Sequence, residues 1–312
     1  MDARAQTPDY YRDETAADAV AKTRQCIEYI TNDLDPDGEL IAPIITPRFA
    51  PSCSRECLNE LGKLHRSTGL LCQTHIAENK GELELVGKLF PECSTYASVY
   101  DEAGLLTEKT VLAHAIHLTV EDKELISSRA AKISHCPVSN SALASGCARV
   151  RELLDLGLEV GLGTDVSGGY SVSILEAARH AVLVSRHVAM IMESNGDDLG
   201  EGREERSRKA ALAKLSIAEA IFLATRGGAK VLGLQDKVGA FEVGMAFDAQ
   251  MIVLGEEEGD GSEMDESTPI DHFGWESLED SVAKWFYCGD DRNCKAVWVK
   301  GRLIHSDGRY FP

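Results

Sequence analysis

Four side chains have types and an order that suit hydrolysis at a metal: His75, Glu78, His114 and Asp165. A neutral imidazole offers a lone pair to a cation, and a nearby carboxylate can move protons as general acid or base. His75 and Glu78 lie in Gln73-Thr74-His75-Ile76-Ala77-Glu78-Asn79, directly after the apolar Leu70-Leu71-Cys72. His114 closes the run Thr110 to His114, and Asp165 follows the apolar stretch Leu158 to Gly163. An aspartate so placed can bind a metal and also accept a proton from an attacking water. A single histidine is more often structural. An ordered set of such groups, each after an apolar run, is hard to explain by packing alone. His135 ends a further run, Lys132 to His135; it reads as readily as a hydrogen-bonded core residue as a support for the site. His117 reads as exposed.

Positioning these groups requires strands that end where they begin. The β-branched and apolar runs 40–45, 70–75, 110–114, 132–135 and 158–163 predict five short buried strands. Helix-periodic segments separate them: residues 14–31, 56–66 with Ser54 as N-cap, 80–90, a helix from about 120 capped by Thr119, and 148–156. Longer helices are expected over 173–192 and 216–225, and 91–104 reads as a looser connection. Alternating strands and helices with polar groups at successive strand ends indicate a parallel α/β sheet of TIM-like barrel type, in which such ends gather the chemistry. A closed barrel needs eight strands, so about five of eight are expected here. Residues 1–233 are assigned to this barrel and 234–312 to a small, incomplete β subdomain, with a strand at 247–254 and a hairpin at 296–304. Residues 194–212 read as a polar, partly disordered insertion.

Composition narrows the class. Of 312 residues, 44% are hydrophobic and 27% charged, ordinary for a globular enzyme. With 32 basic and 51 acidic residues the formal net charge is −19, which argues against nucleic acid or an anionic membrane as partner. Much of the excess lies in Glu256 to Glu266, read as a solvated loop. The nine cysteines are scattered without a CxxC pair, and the charged start has no signal-peptide core. Both features predict a cytoplasmic protein.

The chain resembles the guanine deaminases, a family within the amidohydrolase superfamily. The likeness is carried by Thr46-Pro47-Arg48-Phe49, His75 to Asn79, Ser134-His135-Cys136-Pro137-Val138-Ser139-Asn140 and Gly161 to Gly169, and it continues through Phe241-Glu242-Val243-Gly244 and Gly289-Asp290-Asp291-Arg292-Asn293. The resemblance implies hydrolysis of guanine to xanthine and ammonia at one zinc ion per subunit. His75, His114 and Asp165 would then be metal-site residues, and Glu78 and Asp165 the proton-transfer groups. Arg48 and Phe49 would hold the base, alongside His75, Glu78 and Asp165, with His135 in support. A guanidinium fork suits the acceptor edge of guanine, and an aromatic face suits a flat ring. A homodimer is implied by the resemblance alone. The small zinc-deaminase fold is excluded, because its His-x-Glu and Pro-Cys-x-x-Cys signature is absent.

One departure stands out. The superfamily takes two zinc ligands from a His-x-His pair on its first barrel strand. The nine histidines here, at 65, 75, 114, 117, 135, 180, 187, 272 and 305, contain no such pair. The expectation is a chain that enters the family barrel just before its fourth strand. Two other readings follow: an amidohydrolase acting on a different amino-heteroaromatic ring, and a non-catalytic binding or dimer-partner protein.

Overall fold

The computed structural model describes residues 1–3, 7–194, 203–254 and 269–306. Five parallel strands form one sheet in sequential order: β1 (Ile44–Ile45), β2 (Leu71–Ile76), β3 (Thr110–His114), β4 (Lys132–His135) and β5 (Val160–Leu162). Each step to the next strand runs through helix. Along the chain these are α1 (Ala16–Tyr29) before the sheet, α2 (Arg55–Thr68), α3 (Lys80–Leu89) and α4 (Tyr96–Glu102), α5 (Val120–Ser128), then α6 (Pro137–Ala142) and α7 (Val150–Asp155). Beyond β5 come α8 (Ile174–Ser194), α9 (Arg203–Ala213), α10 (Ile217–Phe222) and α11 (Gly228–Val231). A parallel sheet that always adds its next strand on the same side is the wall of an α/β barrel, with five strands of it among the described residues.

The alternation in β2 shows how the wall is built. Cys72, Thr74 and Ile76 are buried, while Leu71, Gln73 and His75 are more open and Gln73 and His75 line a cleft. Register then brings the chemistry level: His75 stands opposite Ala113, and Ile76 opposite His114. A second, antiparallel sheet contains β6 (Ala249–Ile252), β7 (Cys294–Val299) and β8 (Arg302–Ser306), with α12 (Leu278–Cys288) before β7. The expected hairpin is present, turning at Lys300-Gly301 with both residues left-handed (φ 49° and 74°). No helix among the described residues is long and apolar enough to cross a membrane.

Several elements differ from the sequence reading. The first strand shrinks from 40–45 to Ile44–Ile45 because the amides of Leu40 and Ile41 donate to Asp35 Oδ2 instead of a neighbouring strand. Pro43, just before it, has no N–H to offer. The stretch 91–104 is not loose: Thr95 caps α4, whose Ala97, Val99 and Tyr100 are buried. Within 194–212 the part from Arg203 onward is helical, since Ala210 and Ala213 of α9 pack against α8. Residues 195–202 and the acidic stretch 256–266 lie outside the described residues. Missed entirely were α6, α11 and α12, the last inside a segment read as β.

The hydroxyl of Tyr100 ties this frame to the strand end that carries His75. It donates to the His75 carbonyl at 2.7 Å and accepts from the Ala50 amide and Thr74 Oγ1, each at 2.9 Å, with the side chain wholly buried. Tyr100→Phe strands a buried N–H and a carbonyl, so a loss of about 1–3 kcal/mol in unfolding free energy is expected from urea titration followed by circular dichroism.

Candidate active site

The sequence-predicted groups converge. Nitrogen or oxygen atoms of His75, Glu78 and His114 all lie within 4.8 Å of one another. His114 Nε2 is 3.8 Å from Glu78 Oε2 and 3.8 Å from Asp165 Oδ2. The His75 and His114 rings meet edge to face with centroids 4.9 Å apart. His114 has no exposed surface, and its Nε2 has no hydrogen-bond partner. A buried, unpartnered imidazole nitrogen facing two carboxylates and a second imidazole is an arrangement that a divalent cation satisfies. Among the described residues, His75, Glu78 and His114 are close enough together to hold a divalent metal ion.

Each group is set by a break in its strand. Ala77 just after β2, His114 and Ala115 at the end of β3, and Asp165 after β5 all have left-handed backbone (φ 50°, 72°, 51° and 45°). Such conformations are costly for residues with a Cβ and concentrate at functional sites. Asn79 then starts α3 with a capping box: its side chain accepts from the Glu82 amide, and Glu82 Oε2 accepts from the amides of Glu78 and Asn79. That reciprocal pair holds Glu78 at the strand mouth.

A cleft of about 380 Å³ opens beside these residues, lined by Thr46, Arg48, Gln73, His75, Ser134 and Asp165 among others. This volume suits a small-molecule site. Arg48 is exposed there, and its guanidinium lies 5.6 Å from the ring centroid of Phe49, which is half-buried and does not line the cleft. The backbone of Arg48 is fixed by the His75 amide, which donates to its carbonyl at 3.0 Å.

The chain matches the Amidohydrolase family over residues 2–304. It belongs to that family. A probable guanine deaminase of Schizosaccharomyces pombe is 46% identical over 298 residues, covering 96% of this chain and 52% of that protein. The guanine deaminase of Homo sapiens is 38% identical over 97% of this chain and 61% of its own length. The crystal structure of a guanine deaminase from C. acetobutylicum with bound guanine superposes with a TM-score of 0.77 at 33% identity, over 96% of this chain and 63% of that one. The chain thus spans between half and about three-fifths of the length of these curated relatives.

Around this amidohydrolase site, burial governs protonation. His75 is pushed down to about 4, chiefly by burial and then by neighbouring His114, with Asp165 and Glu78 opposing. His135 is also beneath the surface, with neither ring nitrogen partnered, and burial followed by His114 pushes it down to about 3. It is not among the residues lining the cleft. The Cys136 thiol, which does line it, is pushed up to about 12 by burial and then by Asp165.

Sequence reasoning missed a ring of supporting groups. Ser139 Oγ donates to Asp165 Oδ2 at 2.6 Å, Asn140 Oδ1 lies 2.8 Å from His114 Nδ1, and Ser145 Oγ donates to Glu78 Oε1 at 3.0 Å. The first two belong to the Ser134–Asn140 string noted above, so their presence was visible and their roles were not. His117 is half-buried rather than exposed, its Nε2 2.8 Å from the Ser145 carbonyl. Gly168 makes room for the Asp165 contact: a Cβ there would come within 2.6 Å of Asp165 Oδ2 and 2.8 Å of Ser139 Oγ.

Two outcomes follow. Gly168→Ala should displace the Asp165 carboxylate from Ser139 and weaken zinc retention against a chelator by at least tenfold, by about 1.4 kcal/mol, while melting within a few degrees of the parent. In the metal-free protein, His75, His135 and His65 all have folded values below the ordinary 6.5, each mainly through burial. Between those values the unfolded chain binds more protons, so stability is full above about 6.5 and falls as pH drops toward 4. Denaturation midpoints measured from pH 7.5 to 4.5 should show a decline of at most about 1.4 kcal/mol per pH unit for each of these histidines.

Proposed function

We propose that this site hydrolyses guanine to xanthine and ammonia, with zinc held by His75, His114 and Asp165. The observation that carries the reading is the convergence of these residues and Glu78 around the unpartnered Nε2 of His114, in a chain 38–46% identical to guanine deaminases. Zinc supplies Lewis-acid chemistry, acidifying a water molecule enough for attack at neutral pH. Water adds to the amino-bearing ring carbon across its ring C=N bond; the oxygen stays on that carbon, and the C–NH2 bond then breaks as the amine leaves as ammonia with one added proton. The other proton ends on the lactam formed.

The remaining work falls to side chains. Asp165, its Oδ2 already holding the Ser139 hydroxyl, accepts a proton from the attacking water. Glu78 carries a proton to the purine ring and its departing amine, oriented by Ser145. Arg48 reaches the cleft and presents two parallel N–H donors to the O6/N7 edge of guanine. Phe49 backs the Arg48 guanidinium, a contact at 5.6 Å that steadies the fork. His135 supports the His114 side of the site from the interior. The family resemblance extends the proposal to a homodimeric cytoplasmic enzyme.

The test is zinc content and xanthine formation by the purified 312-residue chain, with ammonia measured in parallel. With two of the superfamily's zinc ligands absent from this chain, zinc retention is the deciding readout: where zinc is bound, equal yields of xanthine and ammonia are expected, and Glu78→Gln should lower turnover by about 10²–10⁴-fold with zinc still bound. Release of ammonia from a triazine or pterin but not guanine would replace the substrate assignment. Binding of zinc and guanine with no product would make the chain a binding protein and sink the catalytic reading.

A further inference from the structure

Ser134 lies on the inner face of the wall, in the same row as His75. Register sets His75 opposite Ala113, Ala113 opposite Ser134 and Ser134 opposite Gly161. All four residues line the cleft. We propose that Ser134 is a specificity-determining residue whose hydroxyl recognises the amino-bearing edge of a purine held between it and Arg48. This rests on the purine reading above and adds to it a contact on the far side of the base.

The row is low except at two places. Ala113 carries one methyl group and Gly161 no side chain, so His75 and Ser134 stand out two strands apart, about 10 Å between backbones at the ordinary strand spacing. A flat ring laid over Ala113 spans that gap. Arg48 approaches from the other side of His75, because it follows β1 and its carbonyl accepts from the His75 amide at 3.0 Å. In guanine the 2-amino group and N3 lie on the edge opposite O6 and N7. A base whose O6/N7 edge meets the Arg48 fork therefore turns its amino edge toward Ser134.

The hydroxyl is free for this work. Among the described residues its one side-chain contact is Cys136 Sγ at 3.9 Å, and a thiol is a weak partner. A hydroxyl both donates and accepts, so it can take an N–H of the amino group and return its own hydrogen to N3. Its placement is set from β5. A Cβ on Gly163 would come within 2.6 Å of Ser134 Oγ and 2.9 Å of Cys136 Sγ, so the missing side chain leaves the room that these two groups fill. Hypoxanthine is guanine without the amino group and offers no N–H at that position. A polar group placed to meet a ligand N–H disfavours the analogue that lacks it.

The experiment is equilibrium dialysis of radiolabelled guanine, and separately of hypoxanthine, against the full chain kept in chelator so that no turnover consumes the base. Wild type should bind guanine more tightly than hypoxanthine. Ser134→Ala should cut that preference by about three- to tenfold, through weaker guanine binding, while melting within a few degrees of wild type. Gly163→Ala, which pushes the hydroxyl aside, should lower the preference in the same direction, and should lower it no further in a Ser134→Ala background. Equal weakening of both bases in Ser134→Ala, or no change in either, overturns the role of Ser134 and leaves the purine reading standing. A wild type that binds neither base overturns the purine reading and this contact with it.

Discussion

The His114 imidazole has no contact with solvent, a hydrogen-bond acceptor behind it at 2.8 Å and two carboxylate oxygens in front of it at 3.8 Å. Keeping that ring oriented and unpartnered at Nε2 is the constraint on which the site depends. A polar atom buried without a partner is costly, so surrounding structure must hold it there. Three sources do so: the end of β3 that delivers the ring, the Pro137–Ser145 segment that grips it, and the mouths of β2 and β5 that bring the carboxylates.

Those mouths share a mechanism. At each, the chain leaves its strand through a left-handed residue at or beside the functional one, Ala77, His114 and Asp165 among them. Extended geometry would carry the side chains on along the sheet; the reversal turns them toward a common point. The strain is met locally by bonds such as Tyr100 to the His75 carbonyl and the Asn79–Glu82 capping box. The parallel sheet makes this possible, since only parallel strands place all their carboxyl ends on one side.

Membership in the amidohydrolase family and likeness to guanine deaminases agree with this geometry without replacing it. Arg48 shows the difference. The resemblance pairs it with Phe49 as a purine clamp, whereas the structure places Arg48 in the cleft and Phe49 beside its guanidinium, away from the lining.

The primary structure by itself determined the alternation of strands and helices, the parallel sheet and the chemical residues at or near the ends of β2 to β5, because period-2 and 3.6 patterns and caps are local signals. His75, Glu78, His114 and Asp165 were legible for the same reason: each follows an apolar run. Only the tertiary structure decided how those residues face one another and what holds them. Asn140 meets His114 across 26 positions and Ser145 meets Glu78 across 67, separations at which no local pattern carries information. The strand predicted from Leu40 failed for a nearer reason, with Asp35, five and six positions upstream, capturing the amides of Leu40 and Ile41. Helix α9 formed because α8 offered a surface for Ala210 and Ala213 to bury. Hydrophobic spacing states which residues must leave water; which partners they then find depends on packing between segments far apart in the chain.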